Sequence, residues 1–179
     1  GFRSTIEFLE EEMEEEHGTK IKIPIDVVGA EYFFLPPSRD VRVMPEATMG
    51  VATLFHVLGM GDKWTVSSGF FDGANYGLFT GDDKAMKAEN KAYVDEAKRL
   101  GAKVLLMGEC GHAFRSVYDV GNRWLALRMP PIPIVHAIDF YDELLRENKI
   151  KIAKKYEAPV TLHDPCNVIR GGGLAEKSR

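Results

Sequence analysis

Cysteine is scarce: the 179 residues hold two, Cys110 and Cys166. Two thiols cannot build a disulfide framework, and a domain of this size buries enough core without one, so a reduced, cytoplasmic setting is expected. Positive charge is not in excess either. With 23 Lys and Arg against 27 Asp and Glu, the formal net charge is −4. No basic stripe is visible, which excludes nucleic acid as a partner, because phosphate contacts need one. No apolar run approaches the roughly 18 residues of a membrane helix, so no direct membrane span is expected. The N-terminus also lacks the basic-then-apolar pattern of a secretory signal. What remains, 45% apolar and 28% charged residues, is the composition of an ordinary soluble protein of about one domain.

Ser4-Thr5-Ile6-Glu7 has the pattern of a capping box and predicts a helix from Ser4 to about His17, closed by Gly18. Its acidic run, Glu10 to Glu16, reads as a solvated face or as a docking face for a basic partner. After a basic, β-prone stretch (20–28), apolar strands alternate with helices. The runs at 31–37, 63–68, 102–108, 131–137 and 159–164 read as five strands. Pro45 suits the first turn of a helix bearing Val51, Leu54, Phe55 and Leu58 on one face. Asp82 or Asp83 caps a long helix with Met86, Tyr93, Ala97 and Leu100 as its apolar stripe, ended by Gly101. A further helix is expected from His112 to about Trp124, and another carrying Ile138, Tyr141, Leu144 and Leu145. This alternation predicts an α/β fold: a parallel, Rossmann-like sheet of four to five strands with helices on both faces.

Ligands of such sheets bind beyond the carboxyl ends of the strands. Cys110 follows the third strand and Cys166 the fifth, so both are expected on one edge, beside the loops after the first and second strands. The second of these loops carries Gly69, Gly73, Gly77 and Gly81, which reads as backbone packed close to something or as a flexible surface loop. Three chemistries suit the thiols. They are buried structural cysteines, or one is a nucleophile activated by a helix start. Alternatively Cys110, Cys166, His112 and His163 form a metal site, a pattern weaker than paired Cys-x-x-Cys.

Three stretches decide among these: "GECGHAF" behind a strand, then "HAIDFYDELLRENKI", then "VTLHDPCN". From about residue 25 onward the chain resembles the cysteine-rich CCG domain of the heterodisulfide reductase family. Each unit of that family has a cysteine after its first strand, Cys-Cys-Gly after its second and Cys-x-x-Cys after its third. The next unit opens with His-Asp-Pro-Cys, matched here by His163 to Cys166. On this pattern Ser38 stands at the opening cysteine and Ser67-Ser68-Gly69 at the Cys-Cys-Gly. Cys110 keeps the first place of the Cys-x-x-Cys, and Ala113 takes the second. Serine hydroxyls are poor ligands for cluster iron, so the first unit is not expected to hold the family's cluster by itself.

The serine-substituted pattern, with "TVSSGFFDGANYGLFTGDD", resembles in particular the DsrK-type iron–sulfur subunit of the membrane-bound complex of dissimilatory sulfur metabolism. That resemblance implies an oxidoreductase carrying electrons from the complex's other subunits to a small sulfur-carrier protein, whose disulfide or trisulfide bond it reduces. It implies an iron–sulfur cluster of 4Fe–4S type in the full-length protein, with Cys166 as a ligand and Cys110 as a ligand or as a catalytic thiol beside it. The chain is then expected to be a fragment, with residues 1–24 an acidic helix and lead-in, 25–160 a degenerate first CCG-type unit, and 161–179 the start of a second. The remainder of the same chain would be its first partner, and the isolated fragment is expected to be cluster-free and inactive. The alternatives are a non-catalytic cover and docking module, or a cysteine-dependent transferase without a cluster. Two local expectations follow. The helix start should lower the Cys110 pKa, and Ser38, Ser67 and Ser68 should share one patch with Cys110.

Overall fold

The sequences YFFL (β1, Tyr32–Leu35) and VLLM (β3, Val104–Met107) are apolar at every position, and such strands need cover on both faces. In the computed structural model, which describes residues 1–72, 75–120 and 132–179, they receive it. They pair in parallel along their whole length, from Tyr32 opposite Val104 to Leu35 opposite Met107. β2 (Trp64–Thr65) joins the outer side of β1, and β4 (Ile134–His136) joins β3. The sheet is all parallel, in the order β2-β1-β3-β4.

Alternate side chains of each strand point to opposite faces. Phe33, Leu35, Leu105 and Met107 face a core closed by Tyr93, Ala97 and Leu100 of α5 (Asp83–Arg99) and by Phe114 of α6 (Gly111–Phe114). Phe34 and Leu106 face the other core. There they meet α1 (Phe2–His17), α3 (Glu46–Val57) and α7 (Ala137–Arg146) through Met13, Phe55, Phe140 and Leu144. Phe55 stacks between Trp64 and Phe140, with ring centroids 5.1 and 5.5 Å away. Helices on both faces of a parallel sheet are what the element order predicts.

Several expected boundaries move. The helix α1 starts at Phe2 with Gly1 as N-cap, so Ser4 is not the N-cap but the third helical residue. Its hydroxyl donates to the Gly1 carbonyl and accepts from the terminal amine, each at 2.7 Å. In the acidic run, Glu10 is structural, accepting the Ile23 N–H at 2.8 Å and pairing with Lys22, while its other glutamates are exposed. The expected helix from His112 starts at Gly111 and passes at Arg115 into a π-helical turn, Arg115–Val120. Its remaining stretch to Trp124 lies outside the described residues. Two short helices, α2 (Ser38–Arg42) and α4 (Asn75–Thr80), occupy stretches read as loops. The fifth strand does not form. Residues 159–164 have no strand partner among the described residues, and Val160 and Leu162 are 76% and 50% exposed. An apolar run needs a neighbouring edge and a core face before it becomes a strand.

The glycines of the loop after β2 divide by cause. A Cβ on Gly77 would lie 2.7 Å from the Met86 Cβ, so close packing of α4 on α5 requires glycine there. Gly81 has φ +69°, the left-handed region. Gly69 has only the Ser67 hydroxyl nearby, and Gly73 lies outside the described residues. Among the described residues no helix is long and apolar enough to cross a membrane.

Candidate functional site

β1 leads on to β2 at one edge of the sheet, and β3 leads on to β4 at the other. Between β1 and β3 the connections therefore diverge, and such switch points open a crevice beyond the strand ends. A cavity of about 860 Å³ lies there. Pro37, Arg39 and Asp40 line it from behind β1, Asp72 from the loop after β2, and Gly108 to His112 from behind β3. His136, Ile138 and Tyr141 close it at β4 and α7, and His163, Pro165 and Cys166 come from the C-terminal segment. Its volume falls in the range of about 300–1,000 Å³ typical of small-molecule and cofactor sites.

Two glycines make this assembly possible. A Cβ on Gly108 would stand 2.5 Å from the Pro37 Cδ, so the loops after β1 and β3 can touch only because it is absent. A Cβ on Gly111 would stand 2.6 Å from the Val168 Cγ2. That contact seats the C-terminal π-turn, Cys166–Arg170, on α6, and the Arg115 guanidinium fixes it further by donating to the Asn167 Oδ1 at 3.1 Å. Both cysteines reach one cavity in this way.

Cys110 is the N-cap of α6 and half-buried. Its thiol is held by the Asp72 carboxylate. Burial, then Asp72, push its pKa up from the ordinary 9.0 to about 12, although the His112 and Ala113 N–H groups pull the other way. The expectation of a lowered pKa is thus overturned. A helix of four residues offers little dipole, and a buried carboxylate alongside outweighs it. Asp40, also buried, is raised to about 6 by burial and by the nearby Glu109 and Asp72 charges, against which Arg39 acts.

Two of the expected partners share the wall with the thiols. His112 sets the edge of its ring against Phe79, centroids 4.7 Å apart, and His163 is exposed at the rim, as is Cys166. Among the described residues, however, no three or more His, Cys, Asp or Glu side chains converge as a metal-ligand set. The serines stand elsewhere. Ser67 is buried and donates to the Glu96 Oε1 at 2.6 Å, within a network closed by Arg99. The Ser68 N–H donates to the Asp26 Oδ1 at 3.0 Å. Neither lines the cavity, and Ala113 is buried inside α6. Ser38 opens α2 between the wall residues Pro37 and Arg39.

Three wall residues escape a search for thiols: Asp40, Asp72 and His136. Each follows or ends a β-strand, which is the signal that would have found them. His136 ends β4 opposite Met107 and is 1% exposed. Its Nδ1 accepts the Ile138 N–H at 3.1 Å and so caps α7. Burial pulls its pKa down to about 4, so the ring is neutral. Its Nε2 has no hydrogen-bond partner among the described residues. As a host for a thiolate-bound cluster the cavity fits in part. It offers two thiols on one wall and an orphaned N–H suited to a sulfur acceptor, but not four thiolates.

Comparison with known proteins gives the same direction. The chain is 28% identical over 217 aligned residues to an Hdr-like menaquinol oxidoreductase iron–sulfur subunit of Archaeoglobus profundus, covering all of this chain and 38% of that protein. It is 28% identical over 207 residues to the second iron–sulfur subunit of the Archaeoglobus fulgidus Hdr-like menaquinol oxidoreductase, covering 94% of this chain and 37% of the relative. Over 86 residues it is 34% identical to a component of the dihydromethanophenazine:CoB–CoM heterodisulfide reductase of Methanosarcina mazei, covering 48% of this chain and 20% of that one. The chain thus spans less than two fifths of the length of these relatives. No family model matches it, and no solved structure does. These relatives are subunits of a heterodisulfide reductase and of Hdr-like menaquinol oxidoreductases, the latter two being iron–sulfur subunits.

Proposed function

We propose that the chain forms one side of the redox site in an iron–sulfur electron-transfer subunit that reduces a disulfide or trisulfide bond, with a small sulfur-carrier protein as substrate. The observation that carries this reading is the convergence of Cys110 and Cys166, from separate segments, on one cavity at the β1/β3 switch point. Residues 25–160 are then a degenerate first CCG-type unit of the DsrK kind, preceded by the acidic helix and lead-in of 1–24. Residues 161–179 open a second unit. Cys166 and Cys110 serve as ligands, and the other thiolates come from elsewhere in the full-length subunit. With those thiolates they would hold a 4Fe–4S-type cluster, which would supply electrons one at a time.

The chain's own residues account for the protons. Cleaving RS–SR′ consumes two electrons and two protons and yields RSH and R′SH. The electrons arrive from membrane-complex partners of the menaquinol-linked kind. Asp72, against the Cys110 thiol, is placed to take its proton on ligation, and Asp40, raised to about 6, can exchange another in the same cavity. A thiol with a pKa of about 12 is only ~0.001% ionised at neutral pH, which disfavours a free nucleophile and with it a cluster-free transferase. Metal coordination deprotonates a thiol outright. The ligand role is therefore favoured.

The test is a single turnover. The full-length subunit, purified anaerobically, reduced and freed of reductant, is mixed with the trisulfide form of a sulfur-carrier protein. One thiol and one persulfide should appear for every two electrons lost from the cluster, or two thiols and one sulfide for every four. An iron-free subunit, or reoxidation without new thiols, contradicts the reading. A second reading is favoured by the structural bonds of Ser67 and Ser68, which tie those positions into the fold away from the cavity. In it the unit only covers and docks, and Cys110→Ser leaves both iron and turnover intact.

A further inference from the structure

One wall group takes no part in that chemistry. His136 sits on the cavity, almost wholly buried, with one ring nitrogen committed and the other not. Because Nδ1 accepts the Ile138 N–H, the neutral ring carries its proton on Nε2. A buried N–H with no acceptor is costly, and native proteins seldom leave one so. The neighbouring Glu109 backbone carbonyl is near enough to favour the proton, yet it does not meet Nε2 in hydrogen-bond geometry. The Phe114 ring, 4.9 Å away and edge-on, holds the imidazole in its plane. The donor is therefore fixed in direction before any ligand arrives.

We propose that the His136 Nε2–H is a preorganised donor to a sulfur acceptor in the cavity, either a sulfur of the bound cluster or a sulfur of the substrate bond. This rests on the proposed function. The chemistry follows from what surrounds the donor. Asp40, Asp72 and Glu109 make the wall acidic, so a hard anion such as phosphate would meet repulsion there. A sulfur acceptor can take a hydrogen bond from a neutral N–H, and His136 supplies one. Its role is that of a positioning residue. A hydrogen bond to cluster sulfur raises reduction potential, so its loss should lower it.

The experiment uses the full-length subunit grown with 15N-histidine and examined by pulsed electron paramagnetic resonance for weak 15N coupling to the reduced cluster. Two variants are compared with wild type. His136→Phe removes the ring nitrogens, while His136→Thr removes the cavity donor but retains a helix-capping oxygen, which guards against misfolding. The expected result is a weak coupling in wild type, lost in both variants, with a lower midpoint potential and unchanged iron content. A coupling that appears only after the trisulfide carrier is added assigns the acceptor to substrate. A coupling that persists in both variants, or is absent with and without carrier, overturns the inference. Should the subunit hold no cluster, the proposed function fails on that count. The inference is then decided by the His136 15N–1H resonance, which must move on titration with glutathione trisulfide and is overturned if it does not.

Discussion

Cys110 feels two opposed influences, the short helix it caps and the Asp72 carboxylate beside it, and the carboxylate together with burial wins. The consequence is kinetic. At pH 8 a thiol reagent should label the exposed Cys166 readily and Cys110 far more slowly, since raising a pKa from 9.0 to about 12 lowers the thiolate fraction about a thousandfold. Asp72→Asn should speed labelling of Cys110 at least tenfold, as read by mass spectrometry of the tryptic peptides. An unchanged rate would show that Asp72 does not govern the thiol. Asp40 and His136 make a second prediction, because their linkage to pH has opposite signs. The folded-state pKa of His136 is depressed from 6.5 to about 4, so its contribution to stability is present above 6.5 and lost as pH falls through 4. That of Asp40 is raised from 3.8 to about 6, so its contribution is present below 3.8 and lost as pH rises through 6. Between about pH 4 and 6 the two oppose each other. Relative to wild type, Asp40→Asn should therefore gain stability from pH 4.5 to 6.5, and His136→Thr should lose it, each by on the order of 1 kcal/mol. Urea midpoints at the two pH values measure this, and parallel shifts in both variants would contradict it.

The elements behind the site depend on contacts that a sequence shows unevenly. β1 and β3 are legible because every residue is apolar, and α5 because Asp82 caps it by accepting the Ala85 N–H at 2.9 Å while Met86, Tyr93 and Ala97 form a stripe. The edge on which Cys110 lies is legible too, since Cys110 follows β3 of a parallel sheet, whereas Cys166 reaches it through the turn seated on α6 and not behind a strand. The run at 159–164 misleads because its composition is that of a strand while its environment supplies no pairing edge. Ser67 is misplaced for a similar reason. Its position after β2 suggests the cavity, but Glu96, 29 residues further along the chain, draws its hydroxyl away. The direction of the Cys110 shift depends on burial and then on Asp72, neither of which a local pattern reveals. Gly111 is the element-scale test. Gly111→Ala would force its Cβ against Val168, pushing the C-terminal turn off α6, at a cost of about 1–3 kcal/mol. Thermal unfolding should show the loss, and labelling of Cys166 should change with it. Stability and labelling both like wild type would mean that the turn is not seated on α6 by this contact.

At the scale of the whole molecule, a four-stranded parallel sheet collects side chains from all its strand ends and from the C-terminal turn around one crevice. The described residues contribute two thiols to it, and the relatives that share this region are iron–sulfur subunits more than twice its length. On the proposed function the complete cluster site belongs to the full-length subunit, with Cys110 and Cys166 as the share this chain provides. The 179-residue chain alone, treated anaerobically with iron and sulfide, should bind well below one cluster per monomer. The most direct test is iron and acid-labile sulfide per full-length subunit, with the electron paramagnetic resonance signal, in wild type, Cys110→Ser and Cys166→Ser. Each substitution should remove or convert the cluster, with iron falling by at least half; full iron and an unaltered signal in both variants would contradict the assignment of these thiols as ligands.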